Sequence, residues 1–504
     1  MKTSADVIDA INRLERAYPV AAWRAGEVEL WPSYRLRLYD AAIVNLLTTQ
    51  APPTSLGRWR SLADRAARAL WRVPQAAWRD RGANASVRPG NSAVFFSDGV
   101  SFLRLADTWF DRVVDPVIQA FEARGLRSLK LTPLAEAHVP RHQPSWFVQP
   151  SIDRIKLLAS LRRPELELPQ FDTLAEAARV DFGNLVPTRE WLQTQAARLE
   201  ALAVWFGPTI RRSGAEVAFV NTWYSLEGQA FVLAARRLGL RTVDLQHGMQ
   251  GAQHVAYSRW CAVPADGYAT LPDEYWVWGR EEADAIEAWS HGTHRHRARV
   301  TGNFWLQHWR HDTDPLVAAY LAQARALRNG ATTQVLVCLT WGVAAEETDK
   351  LMEAARACDP SVSFWWRLHP VEAARRGELA ARLQHHGLDG SRVGPATDLP
   401  LYALLRCADL TLSHSSTVTQ EAAEFGLPSV VSSDYGAALF SRLVQQGKVL
   451  HANEPAAIAA AVTALAAQPR HVVASPAQAT GTLAAAVDDL LRHTSPTRLQ
   501  EIAA

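Results

Sequence analysis

The stretch DLTLSHSSTVTQEAAEFGLPSVV at residues 409–431 decides how the chain folds. Leu410–Leu412 is a short apolar strand, a hydroxyl-rich turn follows at residues 413–417, and a helix then leads to the strand Ser429–Val431. This alternation is typical of a parallel sheet with helical crossovers. Small hydroxyl residues between a strand and a helix predict an anion site, because backbone N–H groups and hydroxyls gather there. Capping of the helix is the alternative interpretation.

A second loop is expected at the same edge of the sheet. The strand Val362–Leu368 ends at the motif Arg-Leu-His-Pro, in which Pro370 biases His369 to an extended backbone and so places its imidazole at the strand end. Arg367 and His369 can bind or protonate phosphate oxygens there. Glu421 lies one turn into the helix of the first motif, where its carboxylate can accept hydrogen bonds from ribose hydroxyls.

The same α/β alternation begins at Ala93, pauses across a polar helical stretch at residues 303–333 and then resumes. The predicted division is a helical N-terminal extension without strands at 1–90, an α/β domain at 91–302, a second one at 303–470, and a C-terminal helix with a tail at 471–504. Within the first domain we expect a helix near Thr108–Arg124. Two doubly wound domains place their ligand sites at the carboxyl ends of both sheets, facing each other across a cleft.

Composition excludes several classes of protein. The 504 residues are 48% apolar and 21% charged, which is ordinary for a globular chain, and 53 Lys+Arg against 51 Asp+Glu leave a net charge of +2, too little for a nucleic-acid coat protein. The four cysteines stand singly, which predicts neither disulfides nor a thiolate metal site and fits a reducing cytoplasm. Neither a signal-peptide pattern nor a membrane-spanning apolar run is present, so we expect a cytoplasmic protein, soluble or peripheral.

Residues 1–90 carry 14 Lys+Arg against 8 Asp+Glu, a local basic excess. Five tryptophans are interleaved with these arginines: Trp23, Trp31, Trp59, Trp71 and Trp78. Basic helices with tryptophans can lie on the anionic inner face of the cytoplasmic membrane. Packing of amphipathic helices on the next domain is the preferred interpretation, and peripheral membrane contact is the alternative.

Candidate acceptor-side residues follow strands of the first domain. The strand Thr242–Leu245 leads into Gln246, His247 and Gly248, and a positive φ at the glycine would leave the Gln and His side chains facing the cleft, with His254 beyond them. Two carboxylates compete with His247 for the role of general base. Asp98 follows the strand Ala93–Phe96, and Glu227 opens a helix; the structural alternatives are a turn for Asp98 and a capping box for Glu227.

With these motifs the chain resembles the GT-B glycosyltransferases, the class with two Rossmann-like domains. Residues 394–431 look like their nucleotide-sugar segment, in which Glu421 would match the ribose-binding acid. The His-Pro and Ser-Ser/Thr motifs together are similar to bacterial enzymes that use cytidine nucleotides: sialyltransferases, Kdo transferases of capsule and lipopolysaccharide assembly, and teichoic-acid glycerophosphotransferases. Asp98 and Glu227 each match only half of the acidic pair followed by glycine of sialyltransferases. The resemblance covers residues 334–465 well and the first domain in outline.

The resemblance implies a glycosyltransferase of bacterial surface-polysaccharide assembly, with an acceptor-side first domain and a second domain for the donor, a nucleotide sugar and preferably a CMP-sugar such as CMP-Kdo. The implied acceptor is a glycan or lipid-linked glycan, and no other cofactor and no nucleic acid is expected. The residues implied at the donor are Arg367, His369, Pro370, Ser415, Ser416, Thr417 and Glu421. A CDP-alditol phosphotransferase, a UDP-sugar GT-B enzyme and a non-catalytic glycan-binding or partner-binding subunit are the alternatives, and the stereochemistry of transfer stays open.

Sixteen histidines invite a metal interpretation, above all His291, His294 and His296, whose alternation would put them on one strand face. The neighbouring Arg and Gly residues favour a solvated connector, and no metal site is predicted. The sequence has no GxGxxG after a strand, no Walker A motif and no GxSxG, so dinucleotide, P-loop and α/β-hydrolase functions have no support.

Overall fold

The computed structural model describes residues 4–47, 87–99, 101–133, 140–252, 254–310, 314–468 and 483–494. The strands are β1 (Arg24–Ala25), β2 (Val28–Glu29), β3 (Ala93–Phe96), β4 (Phe102–Leu105), β5 (Thr108–Asp111), β6 (Ser128–Thr132), β7 (Trp146–Phe147), β8 (Val217–Val220), β9 (Arg241–Leu245), β10 (Glu274–Val277), β11 (Arg297–Val300), β12 (Thr333–Cys338), β13 (Val362–Arg367), β14 (Leu410–Ser413), β15 (Ser429–Val431) and β16 (Val449–His451). The helices are α1 (Ser4–Ala17), α2 (Trp31–Leu47), α3 (Asp115–Glu122), α4 (Gln149–Ala159), α5 (Phe171–Phe182), α6 (Arg189–Ser213), α7 (Leu226–Arg237), α8 (Arg280–Ser290), α9 (Phe304–Arg310), α10 (Pro315–Arg328), α11 (Ala345–Ala357), α12 (Arg376–His385), α13 (Val393–Asp398), α14 (Leu401–Cys407), α15 (Val418–Glu424), α16 (Asp434–Leu439), α17 (Ser441–Gln445), α18 (Pro455–Ala466) and α19 (Leu483–Thr494). Short 3₁₀ helices occupy Val20–Ala22, Gly183–Leu185 and Pro370–Arg375.

The first sheet has seven strands in the order β11-β10-β9-β8-β3-β6-β7, and all of its pairs are parallel. The chain leaves the neighbouring strands β3 and β8 toward opposite faces. Helix α3 packs on the face of Phe95, whereas α7 packs on the face of Phe96. Where adjacent connections diverge in this way, a crevice opens at the carboxyl ends of the two strands. The first sheet therefore has its switch point between β3 and β8.

The second sheet has five parallel strands in the order β13-β12-β14-β15-β16. After β12 the chain goes to α11, on the face of Val337, and after β14 it goes to α15, on the face of Cys338. Its switch point therefore lies between β12 and β14. Two doubly wound parallel sheets with a cleft between them confirm the predicted α/β class and the GT-B architecture.

The N-terminal helices α1 and α2 belong to the core of the first sheet, and the hairpin β1–β2 joins them where the sequence predicted helices alone. Trp23 and Trp31 are fully buried in this core, so they are not available to a membrane surface. The other three tryptophans of the predicted membrane-facing set, at positions 59, 71 and 78, lie outside the described residues. Arg35, paired with buried Glu15 at 2.7 Å, also donates to the Ser258 carbonyl and so supports the loop after β9.

The hairpin β4–β5 stands where the sequence predicted the start of a helix at Thr108. It reaches the second half of the chain: the Ala106 N–H donates to the Tyr320 hydroxyl at 2.6 Å, and Leu105 packs in the core of the second sheet. In the opposite direction, α19 returns to the first sheet, where Asp488 pairs with Arg124 at 2.6 Å. Among the described residues, no helix combines the length and the apolar character needed to cross a membrane.

Candidate functional site

Asp98 lies at the switch point of the first sheet, directly after β3. Its backbone N–H donates to the Asn221 side-chain oxygen at 3.0 Å, and the Asn221 amide donates back to the carboxylate. The Thr222 hydroxyl donates to the other carboxylate oxygen. Because Asn221 and Thr222 follow β8, the two sides of the crevice hold Asp98 in one orientation. The Asp98 carboxylate is thus oriented at the crevice by side chains of both strand ends, while its role as a base stays a prediction.

Glu227 lies in the first turn of α7, and its carboxylate accepts a hydrogen bond from the Lys156 ammonium at 2.7 Å. The Ser225 hydroxyl caps the helix by accepting from the Gly228 N–H at 2.9 Å, which puts Gly228 rather than Glu227 at the capping-box position, so the capping-box alternative for Glu227 does not hold. A Cβ at Gly228 would stand 2.2 Å from the Thr222 carbonyl oxygen. Glycine therefore lets α7 begin directly against the switch point, whereas Glu227 as general base stays a prediction.

The turn after β9 presents His247, but not as the sequence predicted. Gly248 does not have the expected positive φ. The Gln246 side chain fixes the turn instead, since its amide donates to the Gly248 carbonyl at 2.9 Å and its oxygen accepts from the Trp278 N–H at 2.6 Å. Gln246 lines the cleft with its polar atoms committed to the backbone, and it leaves His247 as the side chain of this turn suited to proton transfer.

His247 and His254 belong to one group of rings. The Tyr224 hydroxyl lies 3.2 Å from His247 Nε2, and the Tyr224 ring packs against His254 with centroids 5.2 Å apart. Burial lowers the pKa of His247, and the nearby Asp98 carboxylate acts in the opposite direction. Burial and, to a smaller extent, the charge of protonated His247 lower the pKa of His254 to about 3. Both rings are therefore neutral near pH 7, and a neutral imidazole can accept a proton.

The hydroxyl turn at residues 413–417 lies at the switch point of the second sheet, where it was predicted. The Ser415 N–H donates to the Thr340 hydroxyl oxygen across the crevice, at 3.3 Å. Within the turn, Ser413 accepts from the Ser416 N–H and Ser416 accepts from the Val418 N–H, each at 3.4 Å. Thr417 is exposed. These bonds hold the turn itself in shape, and Thr417, the N-cap residue of α15, makes no side-chain cap bond. Binding of a phosphate stays a prediction.

His369 is exposed just after the end of β13, as predicted, and begins the 3₁₀ helix that contains Pro370. Its Nδ1 accepts from the Val371 N–H at 3.3 Å, so in the neutral ring the proton sits on Nε2. Partial desolvation lowers the pKa of this imidazole. One nitrogen of Arg367 donates to the Ala396 and Leu399 carbonyls, both at 2.6 Å, while its predicted role at a phosphate stays a prediction. In this arrangement Arg367 stabilises the end of α13.

Glu421 joins the two halves of the site. The Arg112 guanidinium pairs with its carboxylate at 3.0 Å and also donates to the His247 carbonyl at 3.3 Å. The Tyr402 hydroxyl donates to the same carboxylate oxygen at 2.7 Å and accepts from the Asn303 amide at 3.2 Å. A small pocket, open to solvent, adjoins this network. Its lining comes from both halves: Arg112, Val113, Gln246, His247, Trp278, Asn303, Phe304, Trp305 and Tyr402.

Sequence reasoning missed Arg112, because residues 108–124 were predicted as one helix. Its chain neighbour Asp111 is buried, pairs with Lys130 at 3.1 Å and accepts from the Ser101 hydroxyl at 2.7 Å. Burial alone would raise the pKa of Asp111, but Lys130 together with hydrogen bonds from Ser97, Ser101 and the Val114 N–H outweighs burial, and the pKa is lowered. Burial raises the pKa of Asp115, the second partner of Lys130, to about 7. Recognition of Thr108–Asp111 as a strand would have placed Arg112 at a strand end.

The three histidines considered as metal ligands do not gather. His296 is fully buried rather than solvated: its Nδ1 faces the Pro272 carbonyl at 2.6 Å and its Nε2 accepts from the Tyr268 N–H at 3.1 Å. Burial lowers the pKa of His296 to about 4. Across the described ranges, no group of three or more His, Cys, Asp or Glu side chains has the arrangement of a metal site.

No family model matches the chain, and no curated protein matches it in sequence. Solved structures with a similar fold include UDP-GlcNAc 2-epimerase from Neisseria meningitidis bound to UDP-GlcNAc, with a TM-score of 0.48 and 15% identity over 80% of this chain and 99% of that one. The wall teichoic acid polymerase TagF matches with a TM-score of 0.44 and 10% identity over 87% and 98%. HepE from Anabaena in complex with UDP matches with a TM-score of 0.38 and 16% identity over 82% of this chain and 98% of that one. The function is therefore inferred from this chain's own side chains.

Proposed function

We propose that the protein is a glycosyltransferase that transfers a sugar from a nucleotide-activated donor to a growing bacterial surface glycan, in capsule or lipopolysaccharide assembly. The observation that carries the proposal is the contact between Arg112 and Glu421. This contact brings the carboxyl ends of two doubly wound sheets to one cleft, and in such sheets ligands bind at those ends. One switch point supplies phosphate-binding chemistry and the other supplies groups for proton transfer, as transfer to a hydroxyl acceptor requires.

The second sheet would hold the donor. His369 can donate from Nε2 to a phosphate oxygen, and the turn at Ser415, Ser416 and Thr417 adds hydroxyl and backbone donors. Glu421 would accept hydrogen bonds from the ribose hydroxyls once Arg112 moves away from it, and the Tyr402 hydroxyl would keep the carboxylate in place. A CMP-sugar such as CMP-Kdo or a sialic-acid-like sugar is the preferred donor, because the His-Pro and hydroxyl motifs resemble those of cytidine-nucleotide enzymes.

The first sheet would activate the acceptor. An acceptor hydroxyl gives up its proton to a base and forms a bond to the anomeric carbon, while the bond from that carbon to the donor phosphate breaks. Of the three predicted bases, we infer that His247 accepts the proton and that Asp98 stabilises the imidazolium that results. His369 and the hydroxyl turn stabilise the charge that grows on the departing nucleotide.

Thermal-shift titration with CMP, CDP and UDP tests the proposal. Stabilisation by CMP supports a cytidine-nucleotide donor, and UDP alone would favour a UDP-sugar enzyme. An alditol phosphotransferase also releases CMP, so stronger stabilisation by CDP-glycerol than by CMP-N-acetylneuraminate would favour that alternative. Stabilisation by none of them would refute a donor site and favour a glycan-binding or partner-binding subunit. The proposed location is the cytoplasm or the inner face of its membrane, where a lipid-linked acceptor would be met.

A further inference from the structure

Trp341 is an unusual tryptophan in this chain. Of the tryptophans that the structure describes, it is the one whose side chain lies mostly in solvent, 60% exposed, whereas the others are buried or half-buried. Exposed indole surface forfeits the free energy that burial of so large an apolar group would give. A single exposed apolar residue at the surface is common, so its position in the fold decides whether it has a function.

The position is the second switch point. Trp341 comes three residues after Cys338, the last residue of β12, and Cys338 pairs with Arg367 on one side and with Ser413 on the other. The loop that carries Trp341 therefore leaves the sheet between the His369 loop and the hydroxyl turn. Its preceding residue, Thr340, is tied to that turn by the hydrogen bond from the Ser415 N–H. Trp341 and the turn thus stand on opposite sides of one crevice.

The two sides of the crevice lead to opposite faces of the sheet. The hydroxyl turn continues into α15, which carries Glu421 on the face of Cys338, whereas the loop of Trp341 continues into α11 on the face of Val337. A donor whose phosphate lies at the turn and whose ribose reaches Glu421 extends its nucleoside along the first of these faces. The sugar, which is attached to the phosphate on the end away from the nucleoside, is then the part of the donor nearest to Trp341.

We propose that Trp341 is the platform on which the sugar ring of the donor packs. A pyranose has one face of C–H groups and a rim of hydroxyls, and a flat aromatic ring covers such a face while the hydroxyls stay hydrated. An open-chain alditol has no comparable flat face. The inference rests on the proposed function, which it deepens by selecting a ring-bearing transferred group over an alditol phosphate.

The test compares, on the full chain, nucleotides with and without the sugar or glycerol carried on their terminal phosphate. Calorimetric titration measures binding of CMP and CMP-N-acetylneuraminate, UDP and UDP-GlcNAc, and CDP and CDP-glycerol to the wild type, Trp341→Ala and Trp341→Phe. For the pair that the wild type binds, Trp341→Ala is expected to weaken the nucleotide sugar at least fivefold and the free nucleotide less than twofold. Trp341→Phe is expected to keep most of the affinity. Val180→Ala, at a residue 87% exposed on α5, is the surface control.

Equal weakening of nucleotide and nucleotide sugar would overturn the proposal, since Trp341 would then serve the nucleoside or the loop itself. Unchanged binding of both ligands would overturn it as well, and so would an equally large loss for CDP-glycerol relative to CDP. Absence of binding of all three nucleotides to the wild type is a different result, because it refutes the donor site and the proposed function together.

Discussion

The ion pair between Arg112 and Glu421 predicts a measurable coupling between the two halves of the chain. Breaking a fully buried ion pair by removal of one partner costs about 3–5 kcal/mol. The Glu421 side chain is 6% exposed but that of Arg112 is 28% exposed, so solvent screens part of the interaction. We therefore expect Arg112→Met and Glu421→Gln each to lower the free energy of unfolding by about 2 kcal/mol.

The double variant isolates the pair. Arg112→Met with Glu421→Gln should cost less than the sum of the single changes by about 1–2 kcal/mol, because the second change removes a group whose partner is already gone. Urea unfolding followed by circular dichroism at pH 7 and low salt measures all four proteins, and the coupling should shrink as salt is added. The exposed pair Arg280–Asp284 serves as the control, since its changes should simply add.

Additive effects within about 0.5 kcal/mol at Arg112 and Glu421 would refute the reasoning. Such a result would mean that the two side chains do not meet in solution, and that the carboxyl ends of the two sheets are not held at one cleft in the absence of ligand. The donor ribose would then not need to displace Arg112 from Glu421, contrary to the proposal.

Two further predictions concern single side chains. His369→Ala should lower turnover by about 10² or more if Nε2 stabilises the leaving phosphate, and near-normal turnover in a steady-state assay would contradict that role. Gly228→Ala should destabilise the protein and lower activity, because the new Cβ meets the Thr222 carbonyl. Gly377→Ala, whose Cβ would meet nothing within 4 Å, is the matched control, expected to leave the melting temperature unchanged or slightly raised.

The sequence predicted best what short-range patterns encode. The strands Ala93–Phe96 and Ser429–Val431 lie at the predicted residues, because runs of apolar residues bounded by turns specify them locally. The hydroxyl turn was placed between its strand and helix for the same reason.

What the sequence could not supply depends on distant partners. Arg112 and Glu421 are 309 residues apart, and no local pattern announces their contact. Arg367 was expected at a phosphate, but the carbonyls of Ala396 and Leu399 lie within its reach, which only the folded connection reveals. At Gly248 the expected positive φ is unnecessary, because the Gln246 side chain closes the turn.

From the sequence, Asp98 and His247 were predicted as competing bases, whereas in the structure the Asp98 carboxylate interacts electrostatically with the His247 ring. Because the Asp98 carboxylate raises the pKa of His247 against the effect of burial, its neutralisation should lower that pKa further. A base must be deprotonated to act, so the acid limb of kcat/KM should move to lower pH in Asp98→Asn. Glu227→Gln should leave that limb in place, since Glu227 pairs with Lys156. An acid limb that moves in Glu227→Gln and stays unchanged in Asp98→Asn would instead assign the base to Glu227.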